Sequence, residues 1–261
     1  IDEIDVCPVQ IQGPLSENLM AKLAGEELRD IPFYGLMETK IEGVDTVISQ
    51  TGFTGEKGYE IYVRDAHENA EIVWNAVLEA GEEFGLMVIA PAHHRRIAAG
   101  ILSWGQDMDF ETSPFQVNLY YQVPRNKEAD YIGKNELERQ RAIIDGGEFP
   151  FKMRMVGLTF GGKQITDYAP DFWLIADTEG NDMGYITSPW WSPELDTNIA
   201  LGWVPWTSSE IGTKLQVRLP DEYSESSGVP VEGEIVDVPF RESVNPNKRE
   251  VQKAKGLDYA D

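Results

Sequence analysis

Apolar positions after Asp65 recur at helical spacing: Ile72, Val73, Ala76, Val77, Ala80 and Phe84, with Gly85 to end the run. Asp65 with Glu68 three residues on reads as a capping box and places the helix start. A shorter helix is expected from Ser16, with Leu19, Met20 and Leu23 on one face and an end near Gly25. Another follows Pro91 and carries Ile97 and Ile101 toward a core. A fourth spans Asn135 to Ile144 and stops at Gly146-Gly147. Val6 to Gln12, Met37 to Ile41 and Thr46 to Ser49 read as strands, the first running into a turn at Gly13-Pro14.

Beyond Pro150 the pattern becomes short β-rich runs divided by Gly and Pro: Met153 to Phe160, Phe172 to Ala176, Gly184 to Thr187, Ile199 to Val204, Lys214 to Leu219 and Gly233 to Val238. This spacing predicts a small antiparallel barrel or sandwich. The expected fold class is therefore α+β, with a mixed domain over residues 1–150, a β domain over 151–244 and a charged surface tail over 245–261.

Composition narrows the partners. The 261 residues carry a net charge of −23, from 45 Asp and Glu against 22 Lys and Arg. Nucleic acid is an unsuitable partner, because phosphate neutralisation needs clustered cations. No apolar run is long enough for a membrane span and no leader is visible in the first residues, so a cytoplasmic protein is expected. The single cysteine, Cys7, excludes an internal disulfide, and its place beside a β-like run marks it as a small core residue. His93 and His94 are adjacent on a predicted helix and point about 100° apart, so no metal site is expected.

The most informative stretch is Thr51-Gly52-Phe53-Thr54-Gly55-Glu56-Lys57-Gly58-Tyr59-Glu60. Its glycines permit a tight turn or close backbone approach, and the next strand alternates Tyr59, Ile61 and Val63 against Glu60 and Tyr62. By spacing alone Glu60 sits at the start of a strand beside a tight loop, and that spacing favours an exposed hairpin glutamate. Asp107 and Asp109 follow a predicted helix and by residue type could be a catalytic carboxylate pair or structural carboxylates.

This stretch resembles the T-G-Y-T-G-E-D-G-[FY]-E signature of the glycine-cleavage T-protein (aminomethyltransferase) and tetrahydrofolate-dependent demethylase family. Four further blocks follow in the family's order: Gln12-Gly13-Pro14, Arg96 through Asp109, Asp130-Tyr131-Ile132-Gly133-Lys134, and Gly184-Tyr185-Ile186-Thr187-Ser188 with Ser192-Pro193. The resemblance implies a folate-binding T-protein-like domain followed by a C-terminal antiparallel barrel, with the family's N-terminal third absent. An absent segment or another chain would then complete the site.

The resemblance further implies tetrahydrofolate as cofactor, with Glu60 receiving the edge of the pterin ring. Such an edge offers two parallel N–H donors, and a carboxylate accepts both. Phe53 replaces the signature tyrosine and, with Tyr121, is expected to wall the ring. Ala92 stands where typical T-proteins have an arginine that meets the folate tail, and Arg95 is the expected substitute, with His93 and His94 as neighbouring candidates; Arg96 is expected to be structural. The implied activity is transfer of a methyl or aminomethyl group from a small-molecule donor to tetrahydrofolate, with no catalytic acid assigned. The alternatives are a non-catalytic folate-binding protein or the folate module of a dimethylglycine or sarcosine dehydrogenase. The Ala92 replacement tilts the expected donor toward a small methylated molecule.

Overall fold

Alternating burial along four strands builds one sheet, in the order β1 (Val6–Gln12), β4 (Gly58–Arg64), β3 (Val44–Ser49), β2 (Leu36–Ile41), every neighbouring pair antiparallel. The computed structural model describes residues 4–90, 92–125 and 127–240 and groups them into two units, one up to Ala92 and one from His93 onward. Pro91 and the expected tail at 245–261 lie outside the described residues.

In the first unit one sheet face carries Ile11, Ile41, Val44, Ile48, Tyr59, Ile61 and Val63. It buries them against Leu19 and Met20 of α1 (Ser16–Ala24) and Val73 and Val77 of α2 (Ala66–Gly81). The other face presents Gln10, Ser49, Glu60 and Tyr62, since successive strand side chains alternate sides. A pleated sheet with one helix-covered face thus leaves its second face for polar chemistry.

Three expectations for this unit are corrected. Asp65 does not cap α2: it adopts the left-handed conformation at φ 49°, not the extended one an N-cap uses, and makes no capping bond. Asp5 takes that role from a distance, its Oδ2 accepting the His67 N–H at 2.9 Å. Cys7 is exposed, not core, because β1 is an edge strand with a neighbour on one side only among the described residues. Ile72 is 45% exposed, since the apolar stripe of α2 narrows to Val73, Val77 and Ala80. The helix stops at Gly81, and a short 3-10 turn, Glu82–Phe84, carries the chain to the left-handed Gly85.

The second unit contains α3 (His93–Ala98), α4 (Lys134–Asp145) and a closed antiparallel barrel. The barrel order is β10 (Val231–Val236), β5 (Met153–Phe160), β8 (Thr197–Pro205), β7 (Asp182–Ser192), β6 (Trp173–Ala176), β9 (Lys214–Val217). β8 shows how residue size sets the layering. Ala200 and Val204 join the barrel interior, whereas Ile199, Leu201 and Trp203 pack outward against Ile97, Val117 and Met155. Gly202 needs its missing side chain, because a Cβ there would lie 2.9 Å from the Tyr185 carbonyl oxygen. Ile101 falls beyond the end of α3 and is half-buried; its carbonyl, not its side chain, is what the structure uses.

Candidate functional site

The signature loop between β3 and β4 is built around one side chain from another strand. Gln12, at the end of β1, fills the space beside Gly52 and Gly58. A Cβ on either glycine would come within 2.4 Å of the Gln12 amide group. The amide Nε2 donates to the Thr51 carbonyl at 3.2 Å, and its Oε1 accepts from the Thr54 hydroxyl at 2.9 Å. Ser16 Oγ and the Gly13 N–H both donate to the Lys57 carbonyl, and Lys57 Nζ meets Glu17 at 2.5 Å. The glycines are therefore spaces for a half-buried amide plug, and two sequence blocks about 40 residues apart form one clasp.

That clasp presents Glu60. The register pairs Glu60 with Gln10 on β1 and Ser49 on β3, so three strands converge on the carboxylate. Oε1 accepts from Gln10 Nε2 at 3.0 Å. Oε2 accepts from the Thr51 hydroxyl and from the Tyr62 hydroxyl, the latter at 3.2 Å. Thr51 Oγ1 is itself 2.5 Å from Ser49 Oγ. Burial, and then the charge of Glu60, hold the Tyr62 phenol above its ordinary pKa, so it remains a protonated donor. A carboxylate offers about four acceptor positions, and these three donors leave one open on Oε1. Glu60 is half-buried, and no cation pairs with it among the described residues.

A second polar centre lies in the other unit. Arg96 and Asp107 form an ion pair at 2.8 Å with both side chains fully buried. The five guanidinium N–H groups reach Asp107 Oδ2, the Ile101 carbonyl, Gln106 Oε1, Ser188 Oγ and His93 Nδ1. Asp107 is filled in turn by Arg96, the Ser103 N–H, Thr187 Oγ1 and Ser188 Oγ. Burial depresses the Arg96 pKa, and the Asp107 charge opposes that. Trp203 Nε1 donates to the Asp107 carbonyl at 3.1 Å. This saturated pair joins the Arg96-to-Asp109 and Gly184-to-Ser188 blocks. Asp109 is exposed and holds its own turn through Thr112 and the Glu111 N–H.

The remaining site candidates are distributed as follows. Phe53 is half-buried on the signature loop, in the same unit as Glu60. Tyr121 and Arg95 belong to the second unit. Tyr121 rides on the 3-10 turn Tyr120–Gln122, which Arg141 clamps by donating to the Tyr120 and Val123 carbonyls. Arg95 is exposed on α3, whereas its neighbour Arg96 is buried. The half-buried His93 stacks on Trp190 at 5.7 Å, and burial lowers its pKa. In the Asp130-to-Lys134 block, Lys134 Nζ donates to the carbonyls of Lys127, Glu128 and Ala129, which closes that loop. Sequence reasoning missed Gln10, Thr51 and Tyr62 as partners of Glu60. Thr51 and Tyr62 flank the signature glycines and glutamate, but only the strand register identifies Gln10.

No helix among the described residues is long and apolar enough to cross a membrane. The chain matches the family model of the GCVT N-terminal domain over residues 2–127 and that of the glycine cleavage T-protein C-terminal barrel domain over residues 154–240. It is 33% identical over 231 residues to the dimethylsulfoniopropionate demethylase of Ruegeria pomeroyi, covering 85% of this chain and 57% of that protein. It is 31% identical over 218 residues to an aminomethyltransferase of a Geobacillus strain, covering 82% and 57%. Its fold matches the crystal structure of aminomethyltransferase T of the Bartonella henselae glycine cleavage system with a TM-score of 0.68 at 23% identity, over 92% of this chain and 61% of that one. The chain thus spans a little over half the length of these curated relatives. With both of its halves matched in order, it belongs to the glycine cleavage T-protein family.

Proposed function

We propose that this chain is the greater part of an enzyme that moves a methyl or aminomethyl group from a small-molecule donor to tetrahydrofolate. The observation that carries the reading is Glu60: an oriented, half-open carboxylate with acceptor capacity left, held by three donors and paired with no cation among the described residues. Such a group fits the two-donor edge of a pterin, because charge-assisted bidentate bonds give both strength and orientation. When bound, tetrahydrofolate supplies the nitrogen that accepts the one-carbon unit. The protein's part is to hold the acceptor ring through Glu60, fix that carboxylate through Gln10, Thr51 and Tyr62, and keep the signature loop closed around Gln12.

In this reading Phe53 and Tyr121 wall the ring and Arg95 meets the anionic tail, in place of the family arginine that Ala92 replaces. A folate-bearing part over residues 1–150 and a barrel over 151–244 is supported by the two family matches, which end at 127 and begin at 154. A cytoplasmic setting accords with the single cysteine, and a segment or chain beyond this one completes the site. The name of the Ruegeria relative, a demethylase, and the Ala92 replacement favour a small methylated donor.

The test is calorimetric titration with tetrahydrofolate of this chain and of Glu60→Gln. Loss of one charge-assisted contact worth about 1.5–3 kcal/mol predicts a fall in affinity of about 10- to 100-fold. Equal affinity in the two proteins overturns the assignment of Glu60.

A further inference from the structure

Glu60 is not the only group that a ring edge would meet, and counting lone pairs shows why. Oε1 holds one donor, Gln10, and keeps one position open. Oε2 holds two, Thr51 and Tyr62, and is full. A ligand with two parallel N–H donors must place one on each oxygen, so one bond to Oε2 has to yield. The Thr51 hydroxyl is backed by Ser49 at 2.5 Å. The Tyr62 bond, at 3.2 Å, is long for an O–H donor, whose usual distance is about 2.7–2.8 Å. Tyr62 can release Oε2 by rotating its hydroxyl hydrogen alone, with no movement of the ring.

The released hydroxyl is still a donor beside the carboxylate. Tyr62 lies two residues from Glu60 on the same strand and the same sheet face. Its burial and the neighbouring charge keep the phenol protonated. We propose that Tyr62 is a specificity-determining residue: Glu60 Oε1, Glu60 Oε2 and the Tyr62 hydroxyl form an acceptor, acceptor, donor row that reads the donor, donor, acceptor edge of a 2-amino-4-oxo ring. The inference rests on the folate reading above and adds to it a reason to reject a 2,4-diamino ring, in which a 4-amino donor replaces the 4-oxo acceptor facing Tyr62 and the neighbouring ring nitrogen, now without its hydrogen, faces Glu60. A buried donor facing a donor leaves both unpaired, which is how a polar site discriminates strongly between near-isosteres.

The experiment titrates this chain, Tyr62→Phe and Glu60→Gln by calorimetry with two ligands, tetrahydrofolate and its 2,4-diamino counterpart tetrahydroaminopterin, which differ at the 4-position and in the hydrogen on the adjacent ring nitrogen. The parent is expected to prefer the 4-oxo ligand. In Tyr62→Phe the 4-oxo affinity falls about 3- to 10-fold, the 4-amino affinity holds or rises, and the preference narrows accordingly. The change in preference isolates the hydroxyl, because the contribution of Glu60 is common to both chains. A Tyr62→Phe chain that weakens both ligands equally, or neither, overturns the inference. If the 4-oxo ligand then still depends on Glu60, the folate reading stands without it. A parent that binds neither ligand overturns both.

Discussion

Each unit holds one carboxylate at the centre of a polar cluster, and the two differ in what is left over. Asp107 is 1% exposed, has all of its acceptor positions filled and faces a guanidinium whose five donors are likewise engaged. Glu60 is half-buried, keeps a free position and has no cationic partner among the described residues. The first arrangement can only hold the chain together, because any exchange of partners strands a buried charge. The second can exchange a weak internal bond for a ligand at small cost. Residue type does not separate the two carboxylates; spare hydrogen-bonding capacity does.

The largest effect that sharpens this contrast is expected at Asp107. Asp107→Ala leaves Arg96 charged and buried, and should lower stability by about 3–5 kcal/mol in urea unfolding. Glu60→Gln should shift the same transition by no more than about 1 kcal/mol while weakening tetrahydrofolate binding. Equal stability losses would erase the distinction between the two clusters.

A smaller effect is expected at the clasp. Gly58→Ala drives a methyl into the Gln12 amide and should cost about 1–3 kcal/mol. Combining it with Gln12→Ala should recover part of that loss, and a double-mutant cycle reads the coupling. Simple additivity would mean that the glycine serves the backbone and not the plug.

The smallest effect is a pH dependence. His93 has a folded pKa below its ordinary value, owing first to burial and then to the Arg96 charge, against an opposing pull from Asp107; Tyr168 and Trp190 flank the ring. The unfolded chain therefore binds the proton more readily, so the contribution of His93 is complete above its unfolded pKa. It is lost as pH falls from there through the folded value. His93→Gln should flatten the acid side of the stability curve in the range that begins at the ordinary imidazole pKa and runs below it. An unchanged slope in urea midpoints across that range would assign the acid loss to other groups.

Much of this was legible along the chain. The stripe of α2, the face of α1, the alternation of β4 and the six barrel strands each follow from a local period and a Gly or Pro boundary, and five ordered motif blocks mark the family. The errors fell where a local pattern met a distant competitor. Asp65 and Glu68 match a capping box, yet Asp5 supplies the cap. Cys7 has the company of a core residue, yet β1 lies at the sheet edge.

What the sequence by itself determined is most of the elements and the motif residues, because periodicity, turn chemistry and motif spacing act over a few residues. Tertiary structure decided which motif residues meet. Gln12 plugs a loop 40 residues away, Gln10 and Ser49 flank Glu60 only through strand register, and Ser188 closes on Arg96 across 92 residues. A hydrogen bond needs its partners within about 3 Å, and chain separation says nothing about that distance until the sheet and barrel have set their registers.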